Sequence, residues 1–136
     1  MKLVVDTNIF LDVILKREHL YEASAEVLSL SEPDFKLIIP AHSIPTIFYI
    51  VQKNQGREAA TKALSLCLAL AKVGTLDETT VLLGLSYGFS DVEDSFVSAI
   101  ASESKADYVV TNNVKDYDNS PVPVVTPVEL LASLKN

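Results

Sequence analysis

The sequence predicts an α/β fold, a three-layer α/β/α sandwich around a central, mainly parallel sheet. Three observations predict it. Short β-branched apolar runs alternate with longer stretches of helical periodicity, which favours parallel pairing through crossover helices. The first run, Leu3–Val5, is apolar throughout rather than alternating, as in strands covered on both faces. With 136 residues, 49% hydrophobic and 21% charged, the chain suits one globular domain, residues 1–136, with a single sizeable core.

After the strand Leu3–Val5, a helix is expected from Asn8 to Lys16 and a second from Tyr21 to Leu30, with apolar positions at Ala25, Leu28 and Leu30. Pro33-Asp34 turns the chain into a strand, Lys36–Ile39, closed by Pro40. Ser43 is the expected cap of a third helix through Gln52, with Pro45 tolerated in its first turn. Gly56 separates this from a long helix, Glu58–Lys72, and Val73–Leu76 reads as a short third strand. Helix Glu78–Tyr87 stops at Gly88, and Ser90 opens another over DVEDSFVSAIASES. Strands Asp107–Val110 and Val122–Val125 follow, and Pro127 opens a last helix to Leu134.

Composition excludes several classes. No apolar stretch approaches the ~20 residues of a membrane span, and the apolar start meets Asp6 too soon for a signal peptide. Cys67, the single cysteine, lies in the apolar run ALSLCLALA and reads as a core residue in a reducing cytoplasm. A net charge of −7 disfavours strong non-specific nucleic-acid binding unless a bound cation or a basic partner helps.

The polar interruptions carry the chemistry. In open parallel sheets the ligand crevice lies beyond the carboxyl ends of the strands. Asp6 follows the first strand and Thr111-Asn112-Asn113 follow Asp107–Val110, so neighbouring strands would bring them to one rim. Taken alone, Asp6 or Asn8 is equally a helix cap. On the helix from Asp91, Val92, Phe96, Ala99 and Ile100 form an apolar face. Asp91 and Asp94 lie three apart on another face, accompanied by Ser95 and Ser98. Two like charges one turn apart repel unless a cation accompanies them; attraction to the helix N-terminus explains Asp91 better than Asp94. Asp116, in TNNVKDY, is alone an ordinary turn aspartate. Such carboxylates suit Mg²⁺ or Mn²⁺, which is held by a few carboxylates plus waters and substrate phosphate. Two such ions about 4 Å apart are able to activate water and stabilise the leaving oxygen of a phosphodiester.

These stretches together resemble the PIN domain family, nucleases that include the toxin halves of many prokaryotic toxin–antitoxin pairs. VVDTNIFLDVIL resembles the family's first motif, DSFVSAIA its third-acid helix, VVTNNVKDY its last motif and SPVPVVTPVELL its closing strand and helix. The resemblance implies Asp6, Asp94 and Asp116 as metal ligands, with Asp91 as a further carboxylate and Asn8, Thr111 and Asn113 in support. Two departures stand out: Thr46, in SIPTIFYIV, occupies the place of the usual second-motif Glu, and Asn113 that of the usual last Asp. A DVED-type helix with a TNNVKDY-type end is similar to a PIN subgroup that lacks that Glu.

The expected function is therefore a Mg²⁺- or Mn²⁺-dependent endoribonuclease. The resemblance also implies an RNA substrate, a protein antitoxin and a homodimer in the cytoplasm, with no membrane association. The alternative is a PIN-fold interaction module without catalysis, motivated by Thr46 and Asn113. An aspartate-based phosphotransferase is disfavoured, because a second Asp two residues beyond Asp6 is replaced by Asn8. Lys53, Arg57 and Lys115 are candidates for an RNA backbone, with solvated surface charge the plainer reading. Phe48 and Tyr49 read as core, and His19 and His42 fall outside the expected site.

Overall fold

The computed structural model describes residues 1–135. Strands Lys2–Val5 (β1), Lys36–Pro40 (β2), Lys72–Gly74 (β3), Tyr108–Val110 (β4) and Val124–Val125 (β5) form one sheet in the order β3-β2-β1-β4-β5. Every pairing is parallel, as the strand–helix alternation predicts. The helices are Thr7–Ile14 (α1), Tyr21–Leu28 (α2), Ser43–Gln55 (α3), Arg57–Leu70 (α4), Glu78–Ser86 (α5), Val92–Ser104 (α6) and Pro127–Leu134 (α7). A 3₁₀ turn, Val114–Tyr117, follows β4. No helix among the described residues is long and apolar enough to cross a membrane.

The pleat of β1 explains the three layers. Leu3 and Val5 pack with Ile9, Phe10, Val27, Ile47, Val51 and Leu130, so α1, α2, α3 and α7 cover one face with α4 behind. Val4, between them, points the other way and joins Ile38, Val109, Val97 and Ile100 beneath α6. A strand apolar at every position is thus satisfied on both sides, each fully buried aliphatic contributing about 1.5–3 kcal/mol. α5 lies against α6 as an outer helix.

Several expectations need correction. α4 ends at Leu70 because Ala71 is already extended, so β3 starts one residue earlier than expected. β5 shrinks to two residues. Ser43 does not cap α3. It lies inside the helix, buried, with its hydroxyl 2.7 Å from the Thr7 hydroxyl, and His42 takes the cap position without a side-chain bond. Val92, expected on the buried face of α6, is 44% exposed, whereas Ser95 and Ser98 are buried. Helix α6 is sandwiched between sheet and α5, so two of its faces are covered. Both hydroxyls are satisfied there, Ser95 by the Val92 carbonyl and Ser98 by Ser120. Tyr49, expected in the core, is exposed on α3.

The chain builds β1, β2 and β3 outward on one side, then crosses to place β4 and β5 on the other. The strand order therefore reverses at β1, and the crevice of such a sheet opens between β1 and β4. There Val5 pairs with Val110, and the Asp6 N–H donates to the Val110 carbonyl at 3.0 Å.

Gly74 closes β3 against the α6 layer. A Cβ there would stand 2.6 Å from Ile100 Cγ2 and 2.7 Å from Ile38 Cγ2, both branched methyls in a packed interior. Gly74→Ala is expected to lose about 1–3 kcal/mol from this overpacking. Urea unfolding checks it, and an unchanged midpoint contradicts the packing described.

Candidate active site

Asp6 stands where β1 gives way to α1, in extended conformation at the helix cap. One carboxylate oxygen accepts from the Thr7 N–H at 2.7 Å. The other accepts from the Thr111 hydroxyl at 2.8 Å and from Asn8 Nδ2 at 3.1 Å. Cap and site residue are therefore not alternatives here; the cap bond fixes the orientation of a carboxylate that also borders the crevice. Thr111 is itself fully buried, donating to Asp6 while accepting from Asn8 Nδ2 and from the Asn113 N–H. Burial raises the Asp6 pKa despite these donors.

Across the crevice, the first turn of α6 carries Asp94. Its Oδ1 accepts from the Tyr117 hydroxyl at 3.3 Å. Burial first, then the negative charges of Asp6, Asp91 and Asp116, push its pKa up to about 7. Those charges act because the four aspartates border one cleft of about 220 Å³, together with Asn8, Thr46 and Asn113. Asp91 is the cap of α6, accepting from the Glu93 N–H at 2.9 Å. Asp116 sits in the 3₁₀ turn, exposed, rather than in an open loop. Ser95 and Ser98 face away from the acids.

Three residues outside the expected set belong to this region. His42, expected to fall outside the site, lines the cleft. A carbonyl only accepts, so His42 Nε2 donates to Glu93 O at 3.2 Å, next to Asp94. Its position just past β2 was the available signal, since strand ends line the crevice. Tyr117 bridges toward both acids, and burial drives its phenol pKa far up, reinforced by Asp6 and Asp94, so it stays a donor. Asp12 is fully buried on α1, accepting from Ser24 at 3.1 Å and Asn112 Nδ2 at 2.6 Å, with Arg17 at 3.4 Å. A charge inside IFLDVIL was its signal, because a buried carboxylate requires partners. Asn112 in turn offers its N–H to Asn8 Oδ1 at 3.4 Å, linking this buried group to the rim.

A family model described as PIN domain matches residues 2–115. The chain belongs to the PIN domain family. No curated protein matches it. Among solved structures it is similar to VapBC-1 of nontypeable Haemophilus influenzae, with TM-score 0.73 and 18% identity over 94% of this chain and 99% of that one. A toxin–antitoxin complex from Klebsiella pneumoniae gives 0.70 and 20%, covering 92% and 97%. VapC20 of Mycobacterium tuberculosis, a sarcin–ricin loop cleaving toxin, gives 0.66 and 11%, covering 79% and 86%. At these identities the likeness is one of fold.

In this PIN domain Thr46 lies in the cleft, yet its hydroxyl donates to the His42 carbonyl at 3.3 Å. Among the described residues, no group of three or more His, Cys, Asp or Glu side chains converges closely enough to grip an ion unaided. The donor chemistry still fits a hard cation. The acids present only oxygen, and Mg²⁺ characteristically takes one or two carboxylates, keeps several waters and leaves the rest to substrate phosphate. A cation would also offset the mutual repulsion that raises Asp94.

Burial, together with that repulsion, gives Asp94 a pH signature in cation-free protein. Asp94 binds its proton more tightly folded, at about 7, than unfolded, at 3.8. Its contribution to stability is therefore full below the unfolded value and lost as pH rises through about 7. Asp94→Asn removes the titration, so its thermal midpoint relative to the parent should climb across that window in the presence of EDTA. Parallel midpoint-versus-pH curves would contradict the assignment.

Proposed function

We propose that this PIN domain is a divalent-metal-dependent endoribonuclease acting as the toxin of a toxin–antitoxin pair. One observation carries the reading: Asp6 and Asp94, from elements far apart in sequence, border one cleft at the sheet's switch point, where burial and then the Asp6 charge raise the Asp94 pKa. Family membership supports hydrolysis of a nucleic acid. The named neighbours support a toxin role, and VapC20, which cleaves the sarcin–ricin loop, supports RNA as substrate.

In this reading Asp6, Asp94 and Asp116 would hold Mg²⁺ or Mn²⁺ only together with waters and substrate phosphate, with Asp91 as a further carboxylate. A bound ion of this kind lowers the pKa of water and offsets charge at a phosphoryl group. The chain's own work is positioning. Thr111, Asn8 and the Thr7 N–H hold the Asp6 carboxylate in one orientation with three donors. Tyr117 orients Asp94, and the Asn113 N–H steadies the Thr111 hydroxyl. Such outer contacts change metal affinity or activity by about 10–100-fold in metal sites generally. A basic antitoxin segment suits a cleft bordered by four aspartates, and the complexes of Klebsiella and Haemophilus support such a partner. A homodimer in the cytoplasm completes the reading; burial, which pushes the Cys67 thiol up to about 11, makes it inert there.

A second reading, a PIN-fold module without catalysis, draws on Thr46, whose hydroxyl is turned to backbone in the place of the usual Glu. Two measurements separate the readings. Purified protein with Mn²⁺ should cleave structured RNA, and Asp6→Asn or Asp94→Asn should slow this by more than the ~100-fold reached by outer-shell changes. Calorimetry should show Mn²⁺ binding by the parent and its loss in Asp6→Asn. Equal cleavage by parent and variants, or no Mn²⁺ binding, sinks the enzyme.

A further inference from the structure

Resting on the nuclease reading, we infer that the cavity next to the acid cleft is a subsite for the RNA nucleotide adjoining the scissile bond, with Lys115 on its phosphate. The cavity measures about 270 Å³ and shares Asp91 and Asp116 with the acid cleft, so the two form one trough divided by these carboxylates. Gly88, Phe89 and Ser90 make one wall; Lys115, Asp118 and Asn119 make the other.

Charge selects Lys115. The acid cleft is lined by no lysine or arginine, yet a polyanion has to cross it. Lys115 is the one such residue lining the adjoining cavity, one position before Asp116. Lys115 is exposed and makes no ion pair among the described residues. The other candidate cations are engaged elsewhere. Lys53 lies over the Tyr49 ring at 5.9 Å and Arg57 over Phe48 at 5.7 Å, both on the α3–α4 pair.

The wall opposite offers a base a surface. Phe89 is half-buried, edge-on to Tyr117 with centroids 5.8 Å apart, and Tyr117 reaches Asp94. Asn119 holds the turn by donating to the Tyr87 and Gly88 carbonyls, and Gly88 at φ 72° lets the chain fold back beside Phe89. Aromatic faces stack bases without sequence preference, while a lysine meets phosphate as a point charge. One nucleotide spanning Phe89 and Lys115 would set the neighbouring phosphodiester over the aspartates.

The test uses the full chain carrying Asp94→Asn, so that binding is read without cleavage. Anisotropy of a short labelled single-stranded RNA is measured against KCl concentration, with Mn²⁺ present. Adding Lys115→Ala should weaken binding and flatten the log K against log salt line by about 0.7, one phosphate contact on a single strand. Lys115→Arg should restore the slope, and Lys62→Ala, on exposed α4, should leave it unchanged. An unchanged slope in Lys115→Ala, or an equal loss in Lys62→Ala, overturns the subsite while leaving the nuclease reading intact. RNA that fails to bind even the chain with Asp94 intact, in the presence of Mn²⁺, overturns both.

Discussion

The structure depends on one pairing, the parallel register of β1 with β4. It is apolar apart from one phenol, being Leu3, Val4 and Val5 against Tyr108, Val109 and Val110. Its consequence is wholly polar. Because the register sets Val5 opposite Val110, the next residues, Asp6 and Thr111, emerge together and hydrogen-bond. A slip by one residue would turn every side chain to the other face and separate them. Apolar burial on both faces thus fixes the geometry of a charged site to which it contributes no atom.

The site concentrates negative charge where solvent is partly excluded. The carboxylates of Asp6, Asp91 and Asp94 are accounted for by caps, hydroxyls and an amide, and that of Asp116 is exposed, yet Asp6 and Asp94 remain reluctant to ionise together. Under the proposed reading, a cation, a basic partner or both would supply the compensation. The same logic makes the acidic composition intelligible: repulsion toward nucleic acid becomes conditional on what occupies the cleft.

Much of this was legible in the sequence, and the reasons differ by residue. Fold class followed from β1 and the helical periods, because burial on both faces writes itself as unbroken apolar residues. Asp6, Asn8, Asp91, Asp94, Asn113 and Asp116 stood at strand or helix ends, where one-dimensional punctuation coincides with three-dimensional position. Val92 misled because a helix covered on two sides has no single apolar stripe. His42 and Tyr117 escaped because their meaning is relational. His42 matters through the Glu93 carbonyl on another element, and Tyr117 looks like any core aromatic until its hydroxyl meets Asp94.

The bond between Thr111 and Asp6 joins residues 105 positions apart, and that from Asn112 to Asp12 spans 100. Contacts of such separation form only after most of the loop-closure entropy has been spent, which places them late in folding. A chain emerging from the ribosome would therefore have its first aspartate long before the partners that orient it. Under the proposed nuclease reading this connectivity would act as a safety catch, because the site could not assemble before Thr111 and Asn112 had joined the fold.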